Sequence, residues 1–184
     1  LFKHVRLGAA LVHPFLAPVI DVVISGDLLL LVMELVEAKP LARVVGGKPR
    51  SAAEVFAVGY QVAEVLRFLH LRDIVHGNVN SDSVLIGADG HVRLAGLNLP
   101  NLLARKEGAP SPMFQQKGSD ARVVAYLAPE QVTGQPVDFR TDVFSAGVAM
   151  YELATGALPW GKSAAPEIAR VIVEGQPQSP RVLN

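Results

Sequence analysis

Val75-His76-Gly77-Asn78-Val79-Asn80-Ser81-Asp82-Ser83-Val84-Leu85-Ile86 is the stretch on which the reading of this chain turns. It passes from small polar residues, with one histidine and two side-chain amides among them, into a short apolar run. Residues 83–86 and 91–95 read as two short strands around Ala88-Asp89-Gly90, a favourable turn. Just upstream, residues 51–70 read as the clearest helix. Ser51 and Glu54 form the S-x-x-E signature, in which each side chain satisfies a free backbone N–H at the helix start. Val55, Val58, Val62, Leu66 and Leu69 follow at helical spacing as a buried stripe. The polar loop therefore lies between the end of a long helix and a small hairpin, where a scaffold can present it.

Further out, residues 2–12 carry apolar positions spaced for one helix face, ended by His13-Pro14. Two strand-like runs, 17–24 and 28–36, are joined by Ser25-Gly26-Asp27 and read as a hairpin. Residues 40–49 read as a Pro/Gly-rich connector, and 100–121 as a long aperiodic loop, a kind that is usually functional or mobile. An apolar helix over 138–154, buried on most sides, is stopped by Gly156 and Pro159. An amphipathic helix over 165–174 comes last, and the tail to Asn184 is expected to be loose. This order predicts an α+β chain, a small partial sheet followed by a mostly helical portion.

Lys and Arg number 17, Asp and Glu 17, so the chain lacks the basic footprint of a nucleic-acid binder. Half the residues are hydrophobic, which excludes global disorder. The most apolar stretch, 22–36, is broken by Ser25, Gly26, Asp27 and Glu34 and is too short and too charged for a bilayer span. With no Cys there are no disulfides, thiol nucleophiles or Cys-ligated metals. The chain opens on Leu1, and a piece of a longer protein is expected.

The opening stretch lies on the pattern V-H-R-D-L-K-P-E-N-I-L-L, and the chain resembles the protein kinase family of the serine/threonine type. Val92-Arg93-Leu94-Ala95-Gly96-Leu97-Asn98 lies on V-K-L-x-D-F-G, and Tyr126-Leu127-Ala128-Pro129-Glu130 on Y-x-A-P-E. Residues 141–148 match the D-V-W-S-x-G-V helix, and 151–160 continue as the family does. The resemblance implies a protein kinase-like fold truncated at both ends. Residues 1–33 would be a partial small lobe, and residues 34–184 the hinge and helical lobe without its last helices. Leu31 to Val36 would be the strand and hinge beside an adenine pocket, with Met33, Glu34, Val36 and Leu85 lining it.

Phosphoryl transfer in this family needs a carboxylate base, Mg²⁺ held by an Asp and an Asn, and a Lys on the phosphates. The resemblance places Asn78 at the base, and a neutral amide cannot take the proton. It places Ser83 at the metal-binding Asn, Gly96 at the metal-binding Asp, and Gly77 and Asn80 at the loop's Arg and Lys. Each replacement removes a different contribution to the same transition state, so none of these positions is expected to function in catalysis. No metal is expected, and any ATP binding should be weak.

Blander roles suit the remaining candidates. His76 is expected to be a buried histidine bonded to backbone, not a proton shuttle, and Asp82 a structural partner, not a metal ligand. Asp142 is expected to accept backbone N–H groups of the loop, and Leu97 to keep the packing of the family's Phe. Glu130 would either stay unpaired or take Arg122 or Arg140 as its cation. The five His show no zinc spacing. Ser111-Pro112 could mark a phosphorylated switch, but Gly77 removes the Arg that would read it, and Val123 replaces the usual Thr. A mobile or partner-bound loop is preferred. The leading expectation is a pseudokinase: a cytoplasmic regulatory or protein-binding module with another protein as partner, an active kinase or its substrate among the candidates. The alternatives are a divergent ATP-dependent serine/threonine kinase and a truncated relic.

Overall fold

The computed structural model describes residues 11–25, 28–97, 120–161 and 163–184. Strands β1 (Val19–Ser25) and β2 (Leu28–Met33) pair antiparallel as the expected hairpin, with a register shift between Val19 and Asp21. The hairpin is shorter than its apolar runs. Ala17 N–H donates to Leu94 O at 2.9 Å instead of joining β1, and Glu34 N–H donates to Pro18 O at 3.1 Å. Residues 35–37 then leave the ribbon and lead into β3 (Ala38–Pro40).

Residues 40–49 are more than a connector. Pro40 ends β3, and α1 (Leu41–Val45) follows, burying Leu41 and Val45 one turn apart; Gly46 closes it in the left-handed region. Ala42 N–H donates to Ser81 O at 3.0 Å, so this short helix touches the polar loop. Helix α2 (Ala52–His70) begins as the sequence predicts: Ser51 and Glu54 complete a capping box. Val58, Val62, Leu66 and Leu69 are buried along it, with Val65 added and Val55 packed at the margin.

Strands β4 (Val84–Gly87) and β5 (Val92–Leu94) form the second hairpin, and β3 adds to β4 to make a three-stranded antiparallel sheet. Residues 15–17 hang on its far edge through Leu94 N–H to Phe15 O at 2.8 Å. Leu11 and Val12 lie outside any helix, and the rest of the expected helix 2–12 falls outside the described residues.

The expected loop 100–121 lies outside the described residues up to 119. At its end, Asp120 caps α3 (Ala121–Val124) by accepting from Arg122 N–H. Then come α4 (Pro129–Thr133), α5 (Phe139–Thr155) and α6 (Ala165–Glu174). Helix α5 ends at Gly156, with φ 76°; a Cβ there would sit 2.8 Å from the backbone of Gly47 and Lys48, so only glycine allows that approach. The tail is tied more than expected. Residues Pro180–Val182 form a 3₁₀ turn, and Asn184 Nδ2 donates to Ala154 O at 2.8 Å.

Two apolar clusters hold the fold. One joins α1, the α2 stripe, β4, β5 and Leu153; the other joins Val124 to Leu127 with Val148, Ala149, Ile168 and Ile172. The polar loop 75–83 crosses between them. Among the described residues no helix is long and apolar enough to cross a membrane.

Candidate functional site

One buried carboxylate holds the inner side of the loop. Asp142, in the first turn of α5, is fully buried and accepts from His76 N–H at 2.8 Å and Gly77 N–H at 2.7 Å. His70 Nε2, at the end of α2, lies 2.8 Å from the same carboxylate. The backbone contacts are those the resemblance implies. The His70 contact was not foreseen, since nothing in local spacing joins residues 72 apart. His76 is also fully buried, with Nε2 3.1 Å from Ala95 O and Nδ1 accepting from Asn78 N–H. Nε2 therefore carries its proton, and burial lowers its pKa from 6.5 to about 4 despite the Asp142 charge. This is a structural histidine.

On the outer side of the loop the amides and hydroxyl of Asn78, Asn80 and Ser83 bond to one another and to Gly96 without a charged partner. Asn78 Nδ2 donates to Gly96 O at 3.1 Å, and Asn78 Oδ1 accepts from Asn80 Nδ2 at 3.0 Å. The second Asn80 amide proton goes to Asn78 O at 3.0 Å. Asn80 Oδ1 accepts from Asp82 N–H and Ser83 N–H at 2.8 and 2.9 Å. Ser83 Oγ accepts from Asn80 N–H at 2.9 Å and lies 3.0 Å from Asn80 O, to which it donates. Asn78, Asn80, Ser83 and Gly96 are thus brought together. Asp82 is exposed; its backbone N–H supports the loop while its carboxylate faces outward, near Arg122. Leu97 is buried in the first apolar cluster.

A second buried carboxylate ties the segment after 119 to the loop. Glu152, on α5, is hydrogen-bonded to the Tyr126 hydroxyl and accepts from Arg122 Nη2 at 2.9 Å. Ser81 Oγ lies 2.8 Å from the Tyr126 oxygen and 2.7 Å from Arg122 Nη2. The single phenolic proton goes to the carboxylate, so Ser81 donates to Tyr126 and accepts from Arg122. Burial, reinforced by Glu152, pushes the Tyr126 phenol upward. Neither proposed cation pairs with Glu130: Arg122 is taken by Glu152 and Arg140 by Asp138, while Thr141 Oγ1 donates to Glu130 at 2.5 Å. Val123 is 42% exposed next to Arg122 in the chain.

The hinge residues divide. Glu34 and Val36 line an open cleft of about 470 Å³ together with His13, Leu35, Glu37 and Arg93. Met33 and Leu85 are not in its walls. Met33 is exposed at the end of β2, and Leu85 lies in β4 opposite Pro40 and Arg93.

The protein kinase domain profile matches residues 2–182. This chain belongs to the protein kinase family. Serine/threonine-protein kinase PkaA of Streptomyces coelicolor is 30% identical over 174 residues, covering 92% of this chain and 31% of that protein. Serine/threonine-protein kinase pkn2 of Myxococcus xanthus is 31% identical over 158 residues, covering 86% of this chain and 19% of its own length. PknB of Mycobacterium leprae is 30% identical over 166 residues, again 86% of this chain and 25% of that protein. The chain thus spans less than a third of the length of these relatives.

The resemblance puts the family's Mg²⁺ at the loop 75–83 and residue 96, and the residues present do not fit it. The ion takes oxygen ligands in near-octahedral array, one or two of them carboxylates. Here Gly96 offers no side chain, and the oxygens of Asn78 and Ser83 are engaged with Asn80. Among the described residues no group of three or more His, Asp or Glu could hold a metal.

Proposed function

We propose that this chain is a pseudokinase, a kinase-family module that regulates or binds another protein and transfers no phosphate. The observation that carries the reading is the state of Asn78: the side chain at the base position is an amide, its oxygen bonded to Asn80 of the same loop and its nitrogen to Gly96 O beyond β5. A carboxylate base and its metal partners are replaced together, while the contacts that shape the fold are kept. Asp142, Tyr126 with Glu152, and the two apolar clusters all support that division. The partner is another protein, an active kinase or a kinase substrate, in the cytoplasm. Nucleotide, if bound at all, is held weakly and without metal.

Thermal unfolding of the full-length protein with ATP, with ATP plus Mg²⁺, and with neither tests the reading. A ligand at about a hundred times its Kd stabilises a domain by about 2.7 kcal/mol, a readily seen shift. A cooperative transition with no Mg²⁺-dependent shift is expected. A shift that requires Mg²⁺ overturns the reading in favour of a divergent kinase.

A further inference from the structure

We propose that the loop 75–83 carries a neutral closure, with Asn80 as its positioning residue, that holds the kinase-family metal corner shut without any cation. The inference deepens the pseudokinase reading and rests on it. Its physical basis is that every hydrogen-bonding group of the Asn80 amide is used inside the loop. Both amide protons go to Asn78, to its Oδ1 and its backbone O, and the carbonyl oxygen takes the N–H groups of Asp82 and Ser83. A side-chain amide has two donors and an oxygen with two lone pairs, so this one is saturated.

The consequence passes to Asn78. With its oxygen held by Asn80, its amide nitrogen faces Gly96 O and staples the loop to the chain beyond β5. In an active kinase such a bridge between the loop and that corner falls to a divalent ion with anionic ligands; here it is made by two amides. Gly96 adapts to it. Its φ is 75°, and a Cβ there would approach Asn78 Nδ2 to 3.3 Å and the Ser83 side chain to 3.6 Å. A side chain at position 96 would be both strained and pressed against the staple. The corner is therefore closed by its own groups, and an entering cation would have to break several satisfied hydrogen bonds while meeting no carboxylate among Asn78, Asn80, Ser83 and Gly96.

Side-chain amide exchange in the ¹⁵N-labelled protein tests this, with Asn78 and Asn80 assigned through Asn78→Asp and Asn80→Asp. Their NH₂ protons are expected to exchange about tenfold or more slowly than those of the exposed Gln176 and Gln178, and to keep their shifts when millimolar Mg²⁺ or Mn²⁺ is added. In Asn80→Ala, still folded by its backbone spectrum, the Asn78 NH₂ should lose that protection. In Asn80→Asp the Ser83 backbone amide should stay protected, because its acceptor is kept, while Asn78 does not. A loss of stability alone would not sort the two amides in this way. Fast exchange of both NH₂ groups in the parent protein overturns the closure and leaves the pseudokinase reading standing. A Mg²⁺-dependent shift of Asn78 overturns both.

Discussion

The two sides of one loop have diverged. Inward, the loop rests on Asp142, a fully buried carboxylate that accepts from two backbone N–H groups and faces His70. Outward, the positions that would handle phosphate carry Asn78, Asn80, Ser83 and Gly96, none of them ionisable. The inner charge has a folding task, since it satisfies loop amides that no water reaches. On the proposed reading the outer side has only to satisfy itself, and neutral amides do that at less desolvation cost than a carboxylate. A charge is retained where backbone depends on it and absent where chemistry alone would require it.

The contrast breaks most visibly at Asp142. Asp142→Ala leaves two buried N–H groups and His70 without their acceptor, and should cost about 3–5 kcal/mol of unfolding free energy by denaturant titration. Asn78→Ala, on the outer side, should cost only about 1 kcal/mol by the same measurement. Equal losses at the two positions would erase the distinction between the sides.

Acid should strain the inner side next. His76 is neutral in the folded chain, with its pKa lowered from 6.5 to about 4 by burial. Between those values the unfolded chain takes up a proton that the folded chain refuses. The stabilisation is fully present above pH 6.5 and is lost as pH falls toward 4, at ~1.4 kcal/mol per pH unit and about 3 kcal/mol in all. Unfolding free energy measured across that range should show the slope, and His76→Gln should flatten it. An unchanged slope in the variant would place the titration elsewhere.

How far these two sides could be read beforehand follows from the range of the interactions. The α2 cap, the α5 and α6 helices and both hairpins rest on neighbours in sequence, so spacing reveals them. Helix α1 rests on one pair, Leu41 and Val45, set among Pro40, Gly46, Gly47 and Pro49, and the breakers outweigh it in any local reading. The Asp142 role was legible only through family resemblance. Its His70 partner, and the Arg122–Glu152 pairing that takes Arg122 away from Glu130, join distant segments and leave no periodic trace. The absence of charge at Asn78, Ser83 and Gly96 was plain in the sequence; that Asn80 joins Asn78 and Ser83 into a closed circuit depends on side-chain geometry.

Ser81 sits on the seam between the sides, and its removal should have an effect as small as that of Asn78→Ala. Its hydroxyl bridges the loop to Tyr126 and Arg122, which approach it at 2.8 and 2.7 Å. Ser81→Ala removes that bridge but leaves no charge stranded, because both partners keep Glu152. The expected cost is therefore one net hydrogen bond, about 1 kcal/mol, in contrast to the loss at Asp142. Exchange protection of the Asn78 and Asn80 amides should be unchanged in Ser81→Ala, since neither amide bonds to residue 81. If their protection falls with the bridge, the outer closure draws on the buried Glu152 network, and the two sides of the loop are one cooperative unit.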